Sequence, residues 1–250
     1  MTSLENIIKT LSKNRKRLLT EMANALLSRV ESVIYEDSDI CLPEFAMNFQ
    51  DRIVLYHAMN DEVMKKKTFE YAFKGAMEAA GGKAHLVNDP TNPGNDVEVD
   101  GTKFSLKTEA SGSISRGNIT ISKLMEARWI RDCHSGDEFA ESVKARVVTH
   151  LNEYERIVML RAFKINHPRK GFEYHLIEIP RDLLLMCGNL TGQDFSERTK
   201  NGSSSADIFN NRWERLWRLS LDGSVEKVTV RSLAVSACRM HGIWIIYFND

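Results

Sequence analysis

An aspartate and a lysine, Asp96 and Lys107, frame the most informative stretch of the chain. Val97 and Val99 alternate with Asp96 and Glu98, Asp100-Gly101 supplies a two-residue turn, and Lys103–Glu109 alternates again. This is the pattern of a β-hairpin. Its register sets Val99 opposite Thr102, Glu98 opposite Lys103, Val97 opposite Phe104 and Asp96 opposite Ser105. The period of two then gathers Val97, Val99, Phe104 and Leu106 on one apolar face. Asp96, Glu98, Lys103, Ser105, Lys107 and Glu109 fall on the other. Diagonal neighbours across a strand pair lie about 7–8 Å apart, so Asp96 and Lys107 can serve one point in space. A carboxylate that holds Mg²⁺, beside an ammonium that offsets phosphate charge, is what metal-assisted phosphodiester hydrolysis requires. A second carboxylate must complete such a site, and Ser105 cannot supply it. Glu109, on the same face, and Glu70, on a preceding helix, are the two candidates. The competing reading is a plain hairpin with its charged side in water.

The elements that must position these groups follow from periodicity. Leu4, Ile8, Leu11, Leu18, Met22, Leu26 and Val30 recur at helical spacing through the first thirty residues. Residues 36–50, acidic and containing Pro43, read as a connector. A helix is predicted over Glu62–Ala80, with Val63, Phe69, Ala72, Phe73 and Met77 inward and Gly81-Gly82 closing it. A breaker-rich loop, Asn88–Asn95, leads into the hairpin. Beyond it come a strand near Asn118–Ser122, helix from Lys123, and a long helix around Glu138–Glu153. Strands Ile157–Ile165 and Phe172–Ile179 follow, with Tyr154, Ile157, Met159 and Leu160 in the core. Ser196–Ala206 reads as a mobile polar loop, and Trp213 and Trp217 sit four apart on a predicted Arg-rich helix. Strands Val225–Val230 and Ile243–Phe248 end the chain. The order indicates a mixed α/β, or α+β, domain built on a mostly antiparallel sheet flanked by helices.

Composition narrows the class. The chain has 250 residues, with 34 Lys+Arg against 34 Asp+Glu, and 42% of its residues are hydrophobic. A mostly disordered or collagen-like chain is excluded. No apolar run reaches membrane-helix length, and the N-terminus lacks a signal-peptide pattern. The cysteines, Cys41, Cys133, Cys187 and Cys238, form no C-x-x-C pair, which argues against zinc and fits reduced thiols in a cytoplasm. Dinucleotide, P-loop and hydrolase-elbow motifs are absent. Charge is unevenly spread: residues 31–62 are acidic, while Lys103–Arg131 and Arg198–Arg218 carry the excess of bases. Local basic fields of this kind can hold a polyanion despite zero net charge.

The runs TNPGND (Thr91–Asp96), SLKTEAS (Ser105–Ser111) and SISRGNITISKLME (Ser113–Glu126) resemble SmaI-like type II restriction endonucleases, which have the PD-(D/E)xK nuclease fold. The resemblance extends to KKKTFEYAF (Lys65–Phe73), DRI (Asp51–Ile53), LNEYERIVMLRAFKI (Leu151–Ile165) and YHLIEIPRDLLL (Tyr174–Leu185), with an echo at HGIW (His241–Trp244). It implies one nuclease domain over 1–250, comprising a helical region 1–50, a catalytic core 62–186 and the loop 196–206. It also implies Mg²⁺-dependent cutting of both strands of duplex DNA at a short, GC-rich palindrome, leaving 5′-phosphates. A homodimer and a prokaryotic cytoplasm are implied too, with a cognate DNA methyltransferase protecting the host. A nicking nuclease of the same fold, or a DNA-binding protein that has lost catalysis, are the alternatives.

Asp96 matches the motif aspartate, Lys107 the motif lysine, and Glu70 a helix glutamate that ranks above Glu109 as the completing acid. Arg116 and Asn118, following the active-site strand, are candidate base readers; Ser122 and Lys123 are candidate phosphate contacts. Arg161, Lys164 and the turn His167–Lys170, with Arg169 and Lys170, form a second candidate patch. His57 is read as structural and the Cys133-His134 pair as incidental.

Overall fold

The computed structural model describes residues 3–27, 29–87, 94–110, 114–167 and 169–247. Two helices open the chain, α1 (Leu4–Thr10) and α2 (Lys13–Leu26), separated where Ser12 caps α2 by accepting from the Arg15 N–H. Neither buries a residue, and the expected helix ends before Val30, which begins edge strand β1 (Val30–Ile34). In the acidic segment after it, residues 36–42 connect as expected, but Pro43 onward is helix α3 (Pro43–His57). Pro43 occupies the first turn, where its missing N–H has no cost, and Phe45, Ala46, Phe49, Ile53 and Val54 make its buried stripe. Helix α4 (Lys66–Ala79) buries Phe69, Glu70, Ala72 and Phe73. It stops as predicted: Gly81 takes φ +91°, and the Gly81 and Gly82 N–H groups donate to the carbonyls of Glu78 and Met77.

A seven-stranded sheet carries the candidate residues. It comprises β1, β2 (Ala84–Leu86), β3 (Val97–Val99), β4 (Thr102–Glu109), β6 (Arg156–Ile165), β7 (Gly171–Ile179) and β11 (Arg239–Tyr247) in the order β1-β11-β7-β6-β4-β3-β2. All pairs are antiparallel except β4 with β6. The hairpin register is the predicted one, with Val97 opposite Phe104, Glu98 opposite Lys103 and Val99 opposite Thr102. Asp100 and Gly101 both have positive φ, which matches the right-handed twist of the flanking strands.

The second sheet was only partly visible in the sequence. It orders β5 (Asn118–Glu126), β10 (Lys227–Ala234), β9 (Arg215–Asp222) and β8 (Ser204–Phe209). Lys123–Glu126 therefore continues a strand rather than starting a helix: its residues are good helix formers, but pairing with β10 through two register shifts overrides that preference. Trp217 is likewise in strand β9 and fully buried, while Trp213 lies exposed in the preceding turn with φ +61°. The polar segment 196–206 ends in β8, and Ser196 N–H donates to the Ser205 carbonyl. Between the sheets run α5 (Gly136–Ser142), a π-helical turn at Val143–Val147 and α6 (Val148–Leu151), which together replace the expected long helix. A short helix, α7 (Arg181–Leu185), follows β7.

Both faces of the large sheet are covered. Val97, Val99, Phe104, Leu106, Val158, Leu160 and Leu176 pack on the aromatic rings of α3 and α4. Ile157, Met159, Ile177 and Ile179 pack on the second sheet and on α5–α7. The hairpin face expected to be wet therefore looks toward a second layer, and Ser105 is buried in it. Asn88–Pro93, Ser111–Ser113, Pro168 and Phe248 lie outside the described residues.

Near the β1–β11 edge, Arg156 donates to Glu178 (Nε to Oε1, 2.7 Å) and to Asp39 (2.9 Å), and His241 Nε2 meets Glu178 at 3.1 Å. Asp39, Glu178 and His241 could in principle hold a metal, yet Arg156 and Arg239 already neutralise the two acids. Burial alone would raise the Glu178 carboxyl, but the bonds and charge of Arg156 and His241 outweigh it and hold the group at about 2. A depressed carboxyl contributes stability above its unfolded value near 4.5 and loses it as pH falls toward 2. Glu178→Gln should therefore cost about 1–3 kcal/mol at pH 7, with the difference from wild type shrinking between pH 4.5 and 2 in denaturant titrations. A difference independent of pH would contradict this account.

Candidate active site

The hairpin places Asp96 where β3 begins, and the backbone fixes its side chain. Asp96 Oδ2 accepts from the Leu106 N–H at 2.7 Å, while the Asp96 N–H donates to the Phe104 carbonyl at 2.8 Å. The other oxygen, Oδ1, accepts from Lys66 Nζ at 2.8 Å. Helix α4 delivers both Lys66 and Glu70, one turn apart. Glu70 Oε1 lies 3.7 Å from the same Lys66 Nζ, and its Oε2 accepts from Lys67 at 3.1 Å. Two carboxylates from different elements thus converge on one ammonium. Glu70 is 7% exposed, so its charge is largely removed from water and depends on those lysines.

Lys107 stands on β4 beside this group, partly buried and, among the described residues, without an ion pair. Burial lowers its pKa first, and the Lys66 charge adds to that. Asp96 and Glu70 pull it back, leaving it at about 8. Two clefts of about 640 and 620 Å³ meet here, sharing Lys66, Thr108 and Ser122. The first continues past Ser115 and Asn118; the second takes in Lys107, Lys123 and His150. Ser122 and Lys123 are exposed on β5, with Lys123 paired to Glu126 at 2.6 Å. They line the same cleft as Lys66 and Lys107.

The remaining sequence candidates are placed differently. Arg116 stacks over the Phe163 ring at 4.5 Å and forms a two-pronged ion pair with Glu173 at 2.8 and 2.7 Å. Arg169 and Lys170 lie exposed at the β6–β7 turn. Lys107 pairs with Met159, so the end of β6 at Ile165 is about 20 Å further along the strand. Only an extended ligand could touch both. His57 is structural, bonded to Tyr174 at 2.8 Å and to the Asn60 carbonyl.

Two neighbours carried no sequence signal. Lys66 was one of three adjacent lysines, and only the fold selects it. His150 is buried against the second cleft, its Nε2 on the Leu124 carbonyl at 3.1 Å. Burial, then the charge of Lys107, lowers its pKa, which favours the neutral ring.

Glu109 is committed elsewhere. Its Oε2 accepts from Arg161 Nε at 2.6 Å and its Oε1 from the Thr120 N–H at 2.8 Å. The Arg161 side chain is fully buried and also donates to the carbonyls of Ser115, Arg116 and Asn118. The pair is a clamp: it ties the turn that carries Arg116 and Asn118 to the end of the active-site strand. Arg161, expected in a DNA-facing patch, faces inward. Glu109→Ala should therefore cost about 3–5 kcal/mol in unfolding experiments, because it strands a buried guanidinium, while Ca²⁺ affinity measured by calorimetry stays unchanged. Lost Ca²⁺ binding with intact stability would make Glu109 a cation ligand instead.

Comparison with known proteins identifies the family. The family model for SmaI, described as a type II site-specific deoxyribonuclease, matches residues 4–246. The type II restriction enzyme SmaI of Serratia marcescens is 33% identical over 212 residues, covering 82% of this chain and 81% of that protein. No solved structure matches the chain. A match of this extent spans the hairpin, the α4 acid, the clamp and both sheets, and the chain therefore belongs to the SmaI family of type II site-specific deoxyribonucleases, enzymes that hydrolyse DNA phosphodiesters.

Proposed function

We propose that this chain is a Mg²⁺-dependent restriction endonuclease that cuts both strands of duplex DNA at a short palindrome and leaves 5′-phosphates. The observation that carries the reading is the convergence of Asp96 and Glu70 on one cation, the Lys66 ammonium, beside a partly buried Lys107. That donor set fits Mg²⁺: both donors are hard oxygens, they come from separate rigid elements, and they already hold a positive charge between them. When bound there, Mg²⁺ polarises the scissile phosphoryl group and supplies a water of lowered pKa.

The chain's own residues do the rest. The Leu106 N–H holds Asp96 in place, leaving one oxygen for the cation. Glu70, buried on α4, provides the second ligand without losing helix or core contacts. Lys107 directs its ammonium at the phosphate and offsets the charge that grows as the water oxygen bonds to phosphorus and the P–O3′ bond breaks. Ser122 and Lys123 steady neighbouring phosphates, and the clamped turn offers Arg116 and Asn118 to base edges. A symmetric homodimer supplies one such site per strand of a palindrome. The enzyme would act in a prokaryotic cytoplasm alongside a methyltransferase that protects host DNA.

Lys107→Ala and Asp96→Ala should each lower cleavage of phage-sized DNA by about 10²-fold or more. Lys107→Ala should keep specific duplex binding in Ca²⁺; wild-type cutting by either variant would move the active site elsewhere. Arg116→Ala should weaken or relax recognition by about 1–3 kcal/mol, measured as cleavage and binding across single-base site variants. Unchanged site preference would leave Arg116 as only the partner of Glu173.

A further inference from the structure

Lys66 is not needed to explain hydrolysis, yet it occupies the centre of the site. Its ammonium bonds Asp96 Oδ1 at 2.8 Å and stands 3.7 Å from Glu70 Oε1. It comes from the first turn of α4, one turn before Glu70, and its side chain remains 43% exposed. Both clefts that meet at the site are lined by it. The ammonium is thus held by the acids yet open to the clefts that Ser122 also lines, within reach of a phosphate entering there.

We infer that Lys66 is a resident counter-cation that competes with the divalent metal for Asp96 and Glu70 and is drawn off by a DNA phosphate. This rests on the reading of those two acids as the metal ligands. With Lys66 in place, both carboxylates have a cationic partner in the DNA-free protein, where the buried Glu70 would otherwise have Lys67 alone. A phosphate in the cleft offers Lys66 a new anion, and its departure opens both acids at once. Metal and DNA then raise each other's affinity, as linkage requires, and the hydrolytic site assembles only on its substrate. Lys67, bonded to Glu70 alone, can contribute less to this competition.

The test is Ca²⁺ binding by calorimetry to the DNA-free protein, with wild type, Lys66→Met, Lys67→Met and Asp96→Asn compared after thermal melts. Lys66→Met should bind Ca²⁺ roughly three- to tenfold more tightly, the range expected for removing partly exposed ion pairs. Lys67→Met should change affinity less, and Asp96→Asn should lose binding. Wild-type affinity in Asp96→Asn would overturn the ligand reading itself. Loss of binding there, with equal or weaker binding in Lys66→Met, would overturn the competition alone. On the unaltered chain, amine-reactive labelling followed by mass spectrometry should show Lys66 becoming more reactive when Ca²⁺ is added. Unchanged labelling at saturating Ca²⁺ would overturn the proposal whether or not the Lys66 variant folds.

Discussion

The site depends on one hydrogen bond, from the Leu106 N–H to Asp96 Oδ2. It exists because a two-residue turn with positive φ at Asp100 and Gly101 fixes the hairpin register. A slip of β3 by one residue against β4 would send Asp96 to the other face, away from Lys107, and take Val97 and Val99 out of the α4 core. The same register places Val97, Phe104 and Leu106 against Phe69 and Phe73 of α4, so the packing that holds the hairpin also brings Glu70 to Asp96. Apolar burial and acid placement are therefore one constraint.

The second layer builds a cleft around that cluster. By covering the opposite face of the large sheet, it walls the cleft beside Lys107 and supplies Ser122 and Lys123 along β5. The connection from β4 to β5 is held by Arg161, whose guanidinium reaches Glu109 and three backbone carbonyls. A buried ion pair of this kind adds little net stability but makes its removal costly, which suits a turn that must present side chains at fixed positions.

Local patterns made the hairpin, the closing glycines of α4 and strands β6 and β7 legible in the sequence. Features set by distant partners were hidden. Lys123–Glu126 has helical propensity and becomes strand because β10 pairs with it. The alternation of Trp217, Leu219 and Leu221 was available, but the four-residue spacing of Trp213 and Trp217 suggested a helix; the strand is decided by β8 and β10 on either side. Pro43 and the surrounding acids masked the stripe of α3. At the candidate site, Asp96 and Lys107 were proposed from type and spacing, and Glu70 from its match to a family helix glutamate. Lys66 was not, because nothing distinguishes it from Lys65 and Lys67 until α4 turns it toward Asp96. Glu109 stood second to Glu70 as the completing acid, and its commitment to Arg161 joins positions far apart in the chain.

The most direct test of the account is a crystal structure with Mn²⁺ and duplex DNA, the ion being located by its anomalous scattering. The account predicts the ion between Asp96 and Glu70, Lys107 Nζ on the scissile phosphate, and Glu109 still bonded to Arg161. An ion held by Glu109, or at the Asp39–Glu178–His241 cluster with Asp96 and Glu70 uninvolved, would contradict it.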